Sequence, residues 1–315
     1  MPVLFNPRLS GGLWVLRLGY RRHPGCIAPV QAINLLQSPA VDRPGLLQDG
    51  PPDVSEIAEE NPAYTLRLAR DARDLRAAQR LRYRVFVQEL GAGGPMVDHE
   101  ARLEKDAFDP HFDHLLLIDR HGDPDLLEDV VGVYRLLPPS GRAAMGRYYS
   151  EDEFDLSPLI ASGRRLLELG RSCVHPDHRG GAAMLLLWNA LAEYVLERGV
   201  EVMFGAASFH GTDAAALAEP LSFLYLNHLA PPDLRVRARK AHRQEMNLIA
   251  APDRRAALAA TPPLIKAYLR LGGYVGDGAW VDAAFNTTDV CLVMDTETMS
   301  ARHRDFYIRK HGREV

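Results

Sequence analysis

The sequence predicts an α/β (α+β) fold in which strands and helices alternate. Two observations carry that expectation. From Tyr64 onward, β-prone apolar runs alternate with longer stretches of helical period, and polar Gly/Pro turns separate them. The 315 residues are also enough for one large domain with a sizeable core. No internal repeat is visible. The expected organisation is a Pro-rich, basic extension over 1–60 and a single folded domain over 61–315.

The elements follow in order. A strand is expected at Tyr64–Leu68, then a helix from about Ala72 to Leu90, in which Leu75, Ala78, Leu81 and Val85 share a face and Gly91 ends the run. His114–Asp119 and Val130–Leu137 read as strands, and Leu166–Val174 as a third. A helix over Gly181–Arg198 carries Met184, Leu187, Trp188, Leu191 and Val195 on one face and stops at Gly199. A strand at Val202–Ala207 follows, then a helix from about Ala214 to His228 with Thr212 or Asp213 as N-cap. A short helix, Leu264–Leu271, closes at Gly272-Gly273, and Trp280–Phe285 and Val290–Met294 read as strands.

Charge and composition remove several classes. With 37 basic against 41 acidic residues, the net charge of −4 argues against a nucleic-acid binder. Cys26, Cys173 and Cys291 lie far apart and fit no zinc spacing, so a reduced, cytoplasmic protein is expected. No apolar run approaches the roughly 20 residues of a membrane span. The first acidic residue is Asp42, and Arg8, Arg17, Arg21 and Arg22 make the extension positive. It reads as a poorly ordered tail, with a basic tether to a membrane surface as the other option.

The most informative stretch is LELGRSCVHPDHRGGAAMLLLWNAL, residues 167–191. A strand ends at Cys173-Val174, and Arg179-Gly180-Gly181-Ala182-Ala183 opens a helix. Small residues at a helix N-terminus let an anion approach free N–H groups and the positive end of the dipole. The Lys and Ser/Thr of a P-loop are missing, as is a dinucleotide glycine triplet. Tight helix–strand packing is the structural alternative for the same glycines.

Residues 174–181 resemble the central motif of the GCN5-related N-acyltransferase superfamily, where an Arg-x-x-Gly-x-Gly turn wraps the donor's pyrophosphate. Ala182 and Met184 replace the later two glycines. That fits a phosphopantetheine arm on a carrier protein, which presents one phosphodiester. The blocks Leu81–Phe86, Glu104–Asp109, Tyr134–Pro138 and Glu168–Arg171 resemble, in that order, those of acyl-homoserine-lactone synthases. The stretches AASFHGTD, LNHLAPPDLRVRA, PPLIKAYLRLGG and FNTTDVCLVMD are similar instead to bacterial L-ornithine Nα-acyltransferases. That likeness spans about Tyr64 to Arg309.

The resemblance implies the GCN5-related N-acyltransferase fold, a central mixed twisted sheet flanked by helices. It also implies transfer of a 3-hydroxyacyl chain from acyl carrier protein to the α-amine of ornithine, giving lyso-ornithine lipid. Acyl carrier protein and ornithine would be the partners, with no permanently bound cofactor and with contact at the inner-membrane surface left open. An acyl-homoserine-lactone-type synthase or a coenzyme A-dependent acetyltransferase is the second enzyme reading. A degenerate carrier- or lipid-binding module is the non-enzymatic one.

Acyl transfer from a thioester to an amine needs a base, an oxyanion donor and a protonated leaving thiol. Glu168, inside an apolar strand, is the expected base, since burial raises a carboxyl pKa. An ion pair with Arg171 is the structural alternative. The amide of Cys173 or Val174 is placed to meet the oxyanion, and His178, Arg179, Gly180 and Gly181 to meet the donor. Arg82 and Phe86, four apart, would share a helix face toward a substrate carboxylate and the acyl chain. Asp106 and Asp109 would hold an ammonium group or fix Arg82 and Arg135. The string 109–114 runs into a strand, where alternate residues point apart, so no metal site is expected. The cluster Arg235, Arg237, Arg239, Lys240 and Arg243 reads as a solvated face, a carrier dock or a lipid contact.

Overall fold

The computed structural model describes residues 63–179 and 182–297, so the extension and Gly180-Gly181 lie outside the described residues. The chain begins with β1 (Tyr64–Leu68) and α1 (Ala72–Arg82), whose first turn is capped by the Asp71 carboxylate accepting from the Asp74 amide. A small ladder, β2 (Val97–Asp98) with β3 (Leu103–Glu104), precedes the long strands β4 (Asp113–Asp119) and β5 (Val130–Leu137). Next come α2 (Pro139–Met145), β6 (Phe154–Asp155), α3 (Ser157–Ala161) and β7 (Leu166–Val174). The second half holds α4 (Ala183–Glu197), β8 (Val202–His210), α5 (Ala218–His228), β9 (Arg237–Ala238), β10 (Arg243–Gln244) and α6 (Arg254–Ala260). It ends with α7 (Pro263–Arg270), β11 (Tyr274–Val275), β12 (Ala279–Asp282) and β13 (Thr287–Asp295).

Nine strands form one sheet in the order β1-β4-β5-β7-β8-β13-β12-β10, with β11 on β13. Strand alternation divides the core. Leu115 and Leu117 of β4 and Tyr134 of β5 pack with Leu187, Leu191 and Tyr194 of α4 on one face. Leu116 and Val133 pack with Ala77, Ala78 and Leu81 of α1 on the other. The mixed sheet between helices expected from the sequence is what forms.

One pairing sets the site. The β7–β8 pair is parallel, while the other ladders are antiparallel, and its register covers only Leu166↔Val202 to Glu168↔Phe204. Beyond that point the two strands part. Gly205 sits at the fork, where a Cβ would lie 2.1 Å from the Leu169 carbonyl oxygen. On its other edge β7 shifts register against β5 between the partners of Val133 and Arg135, and Arg171 there takes φ +48°. A non-glycine residue in that left-handed region costs on the order of 1–3 kcal/mol.

Several boundaries move. The helix expected to run from Ala72 to Leu90 is α-wound only to Arg82, and Tyr83–Glu89 is π-wound, with Leu90 N–H donating to Val85 C=O. The wider turn breaks the i, i+4 alignment of Arg82 with Phe86. Asp213 is no N-cap: its carboxylate accepts from the Ala215 and Ala216 amides in a turn, and α5 starts only at Ala218. β8 extends three residues past Ala207 because its whole length pairs with β13. The strand expected at 280–285 ends at Asp282, whose carboxylate turns the chain by accepting from the Ala284 and Phe285 amides.

The fork yields a direct test. Gly205→Ala should cost about 1–3 kcal/mol, because the added methyl meets backbone rather than a movable side chain. Urea unfolding of the purified variant measures this, and a wild-type midpoint would refute the close approach.

Candidate active site

The parting strands open a cavity lined by 168–172 of β7, 203–208 of β8, the loop before β6 and the β12–β13 hairpin. Much of its apolar wall comes from Phe86 and Leu90 at the π-wound segment, Leu264, Ile265 and Tyr268 of α7, and Met294. Its charged wall comprises Arg135, Arg171, Glu153, Glu168, Asp282 and Asp289.

Glu168 stands at the fork with 1% of its surface exposed. Its Oε2 accepts from the Tyr149 amide at 2.8 Å, and Oε1 accepts from the Ser150 amide at 2.6 Å and from the Ser150 hydroxyl. Burial pushes its carboxyl above the ordinary range, and the Ser150 and Tyr149 donors offset only part of that rise. The expected alternative, an ion pair with Arg171, does not form. Arg171 instead donates to Glu104 Oε1 at 3.1 Å and to the Tyr149 hydroxyl at 2.9 Å, because the left-handed turn at 171 aims it away from Glu168.

Arg171 belongs to a buried network of three guanidinium and three carboxylate groups. Arg82, with no exposed surface, donates from Nε to Glu104 and from its two terminal nitrogens to Asp109 at 2.6 and 3.1 Å. Arg135 donates to Asp106 at 2.7 Å and to Asp109 at 2.8 Å. Burial drives the Asp109 and Glu104 carboxyls upward, but Arg82, with Arg135 on Asp109 and Arg171 on Glu104, outweighs it and holds both below their ordinary values. Burial leaves His114 at about 4 and hence neutral, its Nε2–H donating to the Asp109 carbonyl at 2.9 Å.

The network separates the residues read together from sequence. Phe86, Arg135 and Arg171 line the cavity; Arg82, Asp106 and Asp109 stand behind it and hold the arginines. The π-winding accounts for the split between Arg82 and Phe86. Arg135 keeps two donors, Nε and one terminal nitrogen, buried with no hydrogen-bond partner, and its guanidinium lies 4.3 Å from the Phe112 ring centre.

On the donor side, His175 N–H donates to Val131 C=O at 2.7 Å. By antiparallel alternation Cys173 then pairs with Val133, so the Val174 amide faces away from β5 toward the gap beside β8. The Cys173 thiol is buried in the α1 face of the core, and burial pushes its pKa up, which fits a packing role. Arg179 turns back: its Nε donates to Val174 C=O and its terminal nitrogens to Glu89 at 2.9 and 3.0 Å. His178 Nδ1 bonds the Tyr64 hydroxyl at 2.9 Å. A groove lined by Arg80, Arg84, Arg102 and His175 lies next to this turn, with the His175 and His178 ring centres 5.5 Å apart.

In the basic cluster of 235–243, Arg243 pairs with Glu245 and Asp277, Arg237 lies 3.6 Å from Asp277, and Arg235 and Arg239 donate to the carbonyls of Ala230 and Glu151. Lys240 is exposed. No helix among the described residues is long and apolar enough to cross a membrane.

Residues 81–189, which include the Glu168 strand and the start of the helix beyond it, match the Acetyltransferase (GNAT) domain family, and an acyltransferase is the class of protein they define. The chain is 63% identical over 248 residues to the L-ornithine N(alpha)-acyltransferase of Rhodobacter capsulatus, covering 79% of this chain and 96% of that protein. It is 42% identical over 264 residues to the enzyme of that name from Agrobacterium fabrum, covering 80% and 90%. The chain belongs to the L-ornithine N(alpha)-acyltransferase family. A solved structure it resembles is the acyl-homoserine-lactone synthase LasI, with a TM-score of 0.43, 15% identity and coverage of 79% of this chain and 95% of that one.

Sequence reading did not pick out Tyr149, Ser150, Glu153, Asp282 or Asp289. The signal available was weak: Asp289 is a charge inside the apolar run that forms β13, and Glu153 lies in a loop with no motif.

The network predicts a stability effect. Asp109→Asn should cost about 3–5 kcal/mol, since Arg82 and Arg135 then lose a buried counter-charge. Because the folded-state pKa values of Asp109 and Glu104 are depressed, their contribution is complete above the unfolded values near 4 and is lost as pH falls toward the folded ones. Urea midpoints at pH 7 for wild type and variant, and a wild-type series down to pH 3, check both statements.

Proposed function

We propose that this chain transfers a 3-hydroxyacyl group from acyl carrier protein to the α-amine of L-ornithine, releasing lyso-ornithine lipid. The observation that carries this reading is Glu168, buried at the fork with a raised pKa and facing a cavity that is apolar on one wall and acidic on another. Ornithine as acceptor rests on the names of the relatives.

Glu168 Oε2 has a lone pair left after accepting from Tyr149, and it takes a proton from the α-ammonium. The freed amine attacks the thioester carbonyl, and the Val174 amide faces the oxyanion that forms. Collapse breaks the C–S bond, the leaving thiolate takes the proton that the attacking nitrogen sheds, and an amide remains. The unpartnered donors of Arg135 suit the substrate carboxylate, which would complete the bidentate set that Asp106 and Asp109 begin. Arg82, Asp106 and Asp109 act by positioning Arg135 and Arg171. Phe86 and the α7 side chains wall the acyl chain.

The donor's phosphodiester suits the groove of Arg80, Arg84, Arg102 and His175 beside His178, and a single phosphate fits the lack of the later glycines. Gly180 and Gly181 remain part of this donor proposal. With Arg243 and Arg237 facing Asp277 and Glu245, exposed Arg239 and Lys240 are the members of the 235–243 cluster best placed to contact a carrier or a lipid surface.

Glu168→Gln should lower turnover by about 10²–10⁴-fold, the range for a positioned base. The base works deprotonated, so wild-type kcat/KM should rise with pH through an inflection above the ordinary carboxylate value of 4.5. Loss of that acid limb in the variant, measured with purified acyl carrier protein as donor, supports the assignment; wild-type turnover refutes it. Higher kcat/KM on the acyl carrier than on the matching acyl-coenzyme A tests the donor, and equal use of both refutes it.

A further inference from the structure

The base accounts for one carboxylate in the cavity, and three more need an explanation. Glu153, Asp282 and Asp289 come from the loop before β6, the end of β12 and the middle of β13, and their nearest oxygens lie within 4.8 Å of one another. Glu153 is 8% and Asp289 5% exposed. Glu153 Oε2 and Asp289 Oδ1 are buried without any hydrogen-bond partner, and both residues line the cavity. The Ser208 and Thr287 hydroxyls lie beside the Asp289 carboxylate and offset only part of the effect of its burial.

Such an arrangement is costly on its own. Buried polar atoms are nearly always satisfied, and like charges this close oppose one another. Neither cavity cation forms an ion pair with this group: Arg135 is bonded to Asp106 and Asp109, and Arg171, bonded to Glu104, offsets only part of the rise in the Glu153 and Asp289 carboxyls. Burial, then the charge of Asp289, pushes the Glu153 carboxyl well up, and burial with the charge of Asp282 behind it pushes Asp289 up to about 6. A cation supplied from outside the chain would satisfy these oxygens and offset their mutual repulsion. A primary ammonium presents three donors, each reaching an oxygen at about 2.8 Å, and three acceptors spaced a few ångströms apart around one point satisfy it completely.

We propose that Glu153, Asp282 and Asp289 form the subsite for the side-chain ammonium of the acceptor amino acid, and so select a basic diamino acid while Glu168 serves the α-amine. This rests on the reading of ornithine as acceptor and adds the residues that distinguish it. Asp282 is held for this task, one oxygen accepting from the Ala284 and Phe285 amides while the carboxylate faces the cavity. Glu153 is fixed by its backbone, its N–H donating to Ser150 C=O and its carbonyl accepting from Arg239 N–H.

The test compares L-ornithine with L-norvaline, which has the same carbon skeleton without the terminal amine. Wild type should prefer ornithine in kcat/KM by about 10²–10⁴-fold, since a site built for a hydrogen-bonding cation rejects an analogue lacking it. Glu153→Gln and Asp289→Asn should each shrink that ratio at least about tenfold, mainly through KM for ornithine. Their melting temperatures at pH 7.5 should equal or exceed wild type, because each removes a buried unpaired charge. Asp282→Asn supplies a third variant should either of the others fail to fold.

An unchanged ratio in active variants overturns the inference while leaving the acyl-transfer reading intact. No acylation of ornithine by wild type overturns the function reading, and this inference with it. A preference for ornithine that EDTA abolishes and calcium or magnesium restores also overturns it, assigning the three carboxylates to a divalent cation instead.

Discussion

The structure depends on a constraint of burial: three guanidinium groups cannot leave water without three carboxylates in matched positions. Arg82 is the centre of that arrangement, enclosed on α1 and bonded to both Glu104 and Asp109. Isolated buried charges cost several kcal/mol each, so the network forms as a whole or not at all. Its members come from α1, β3, the turn before β4, β5 and β7. Closing it therefore fixes how the amino-terminal helix lies on the sheet. It also fixes Arg135 and Arg171, the two members that reach the cavity. The same charges that tie down the scaffold hold the site's cations in place.

Much of this was legible from residues alone. Periodicity found the long strands β1, β4, β5 and β7 and the helices α1 and α4, because each buries one regular face. The blocks holding Arg82, Glu104, Asp106, Asp109, Arg135, Glu168 and Arg171 are grouped by their resemblance to those of acyl-homoserine-lactone synthases rather than by spacing. What linear reading could not supply was direction. A π-wound turn separates Arg82 from Phe86, and a left-handed residue inside β7 separates Arg171 from Glu168. Neither departure changes composition or spacing, so neither leaves a mark in the sequence. The short helices α2, α3 and α6 and the two-residue ladders were missed for another reason, since elements so brief carry too few hydrophobic repeats to set a pattern.

The acidic group was hidden by distance. Glu153 and Asp289 are 136 positions apart and meet only because β13 runs beside β8 and the loop before β6 folds over the fork. Their unpaired state is equally invisible from sequence. An aspartate within a strand signals an exposed edge as readily as a binding site, and only the surrounding burial decides. The fork itself depends on one small residue, because Gly205 lets β8 come close to the Leu169 carbonyl just past the last paired position, where the strands diverge.

The segment 149–153 joins two roles. Its first two amides hold the Glu168 carboxylate, and its last residue places an acidic group on the same cavity. The hold on Glu168 and the acidic contact proposed for the acceptor are thus written into five consecutive residues, and an insertion or deletion there would disturb both together. Asp282 and Asp289 sit on a separate hairpin with no bond to Glu168 among the described residues. Redesign of this scaffold for other amines accordingly has one permissive side and one forbidden side: the β12–β13 hairpin can be recoded one residue at a time, whereas the loop before β6 must be inherited whole.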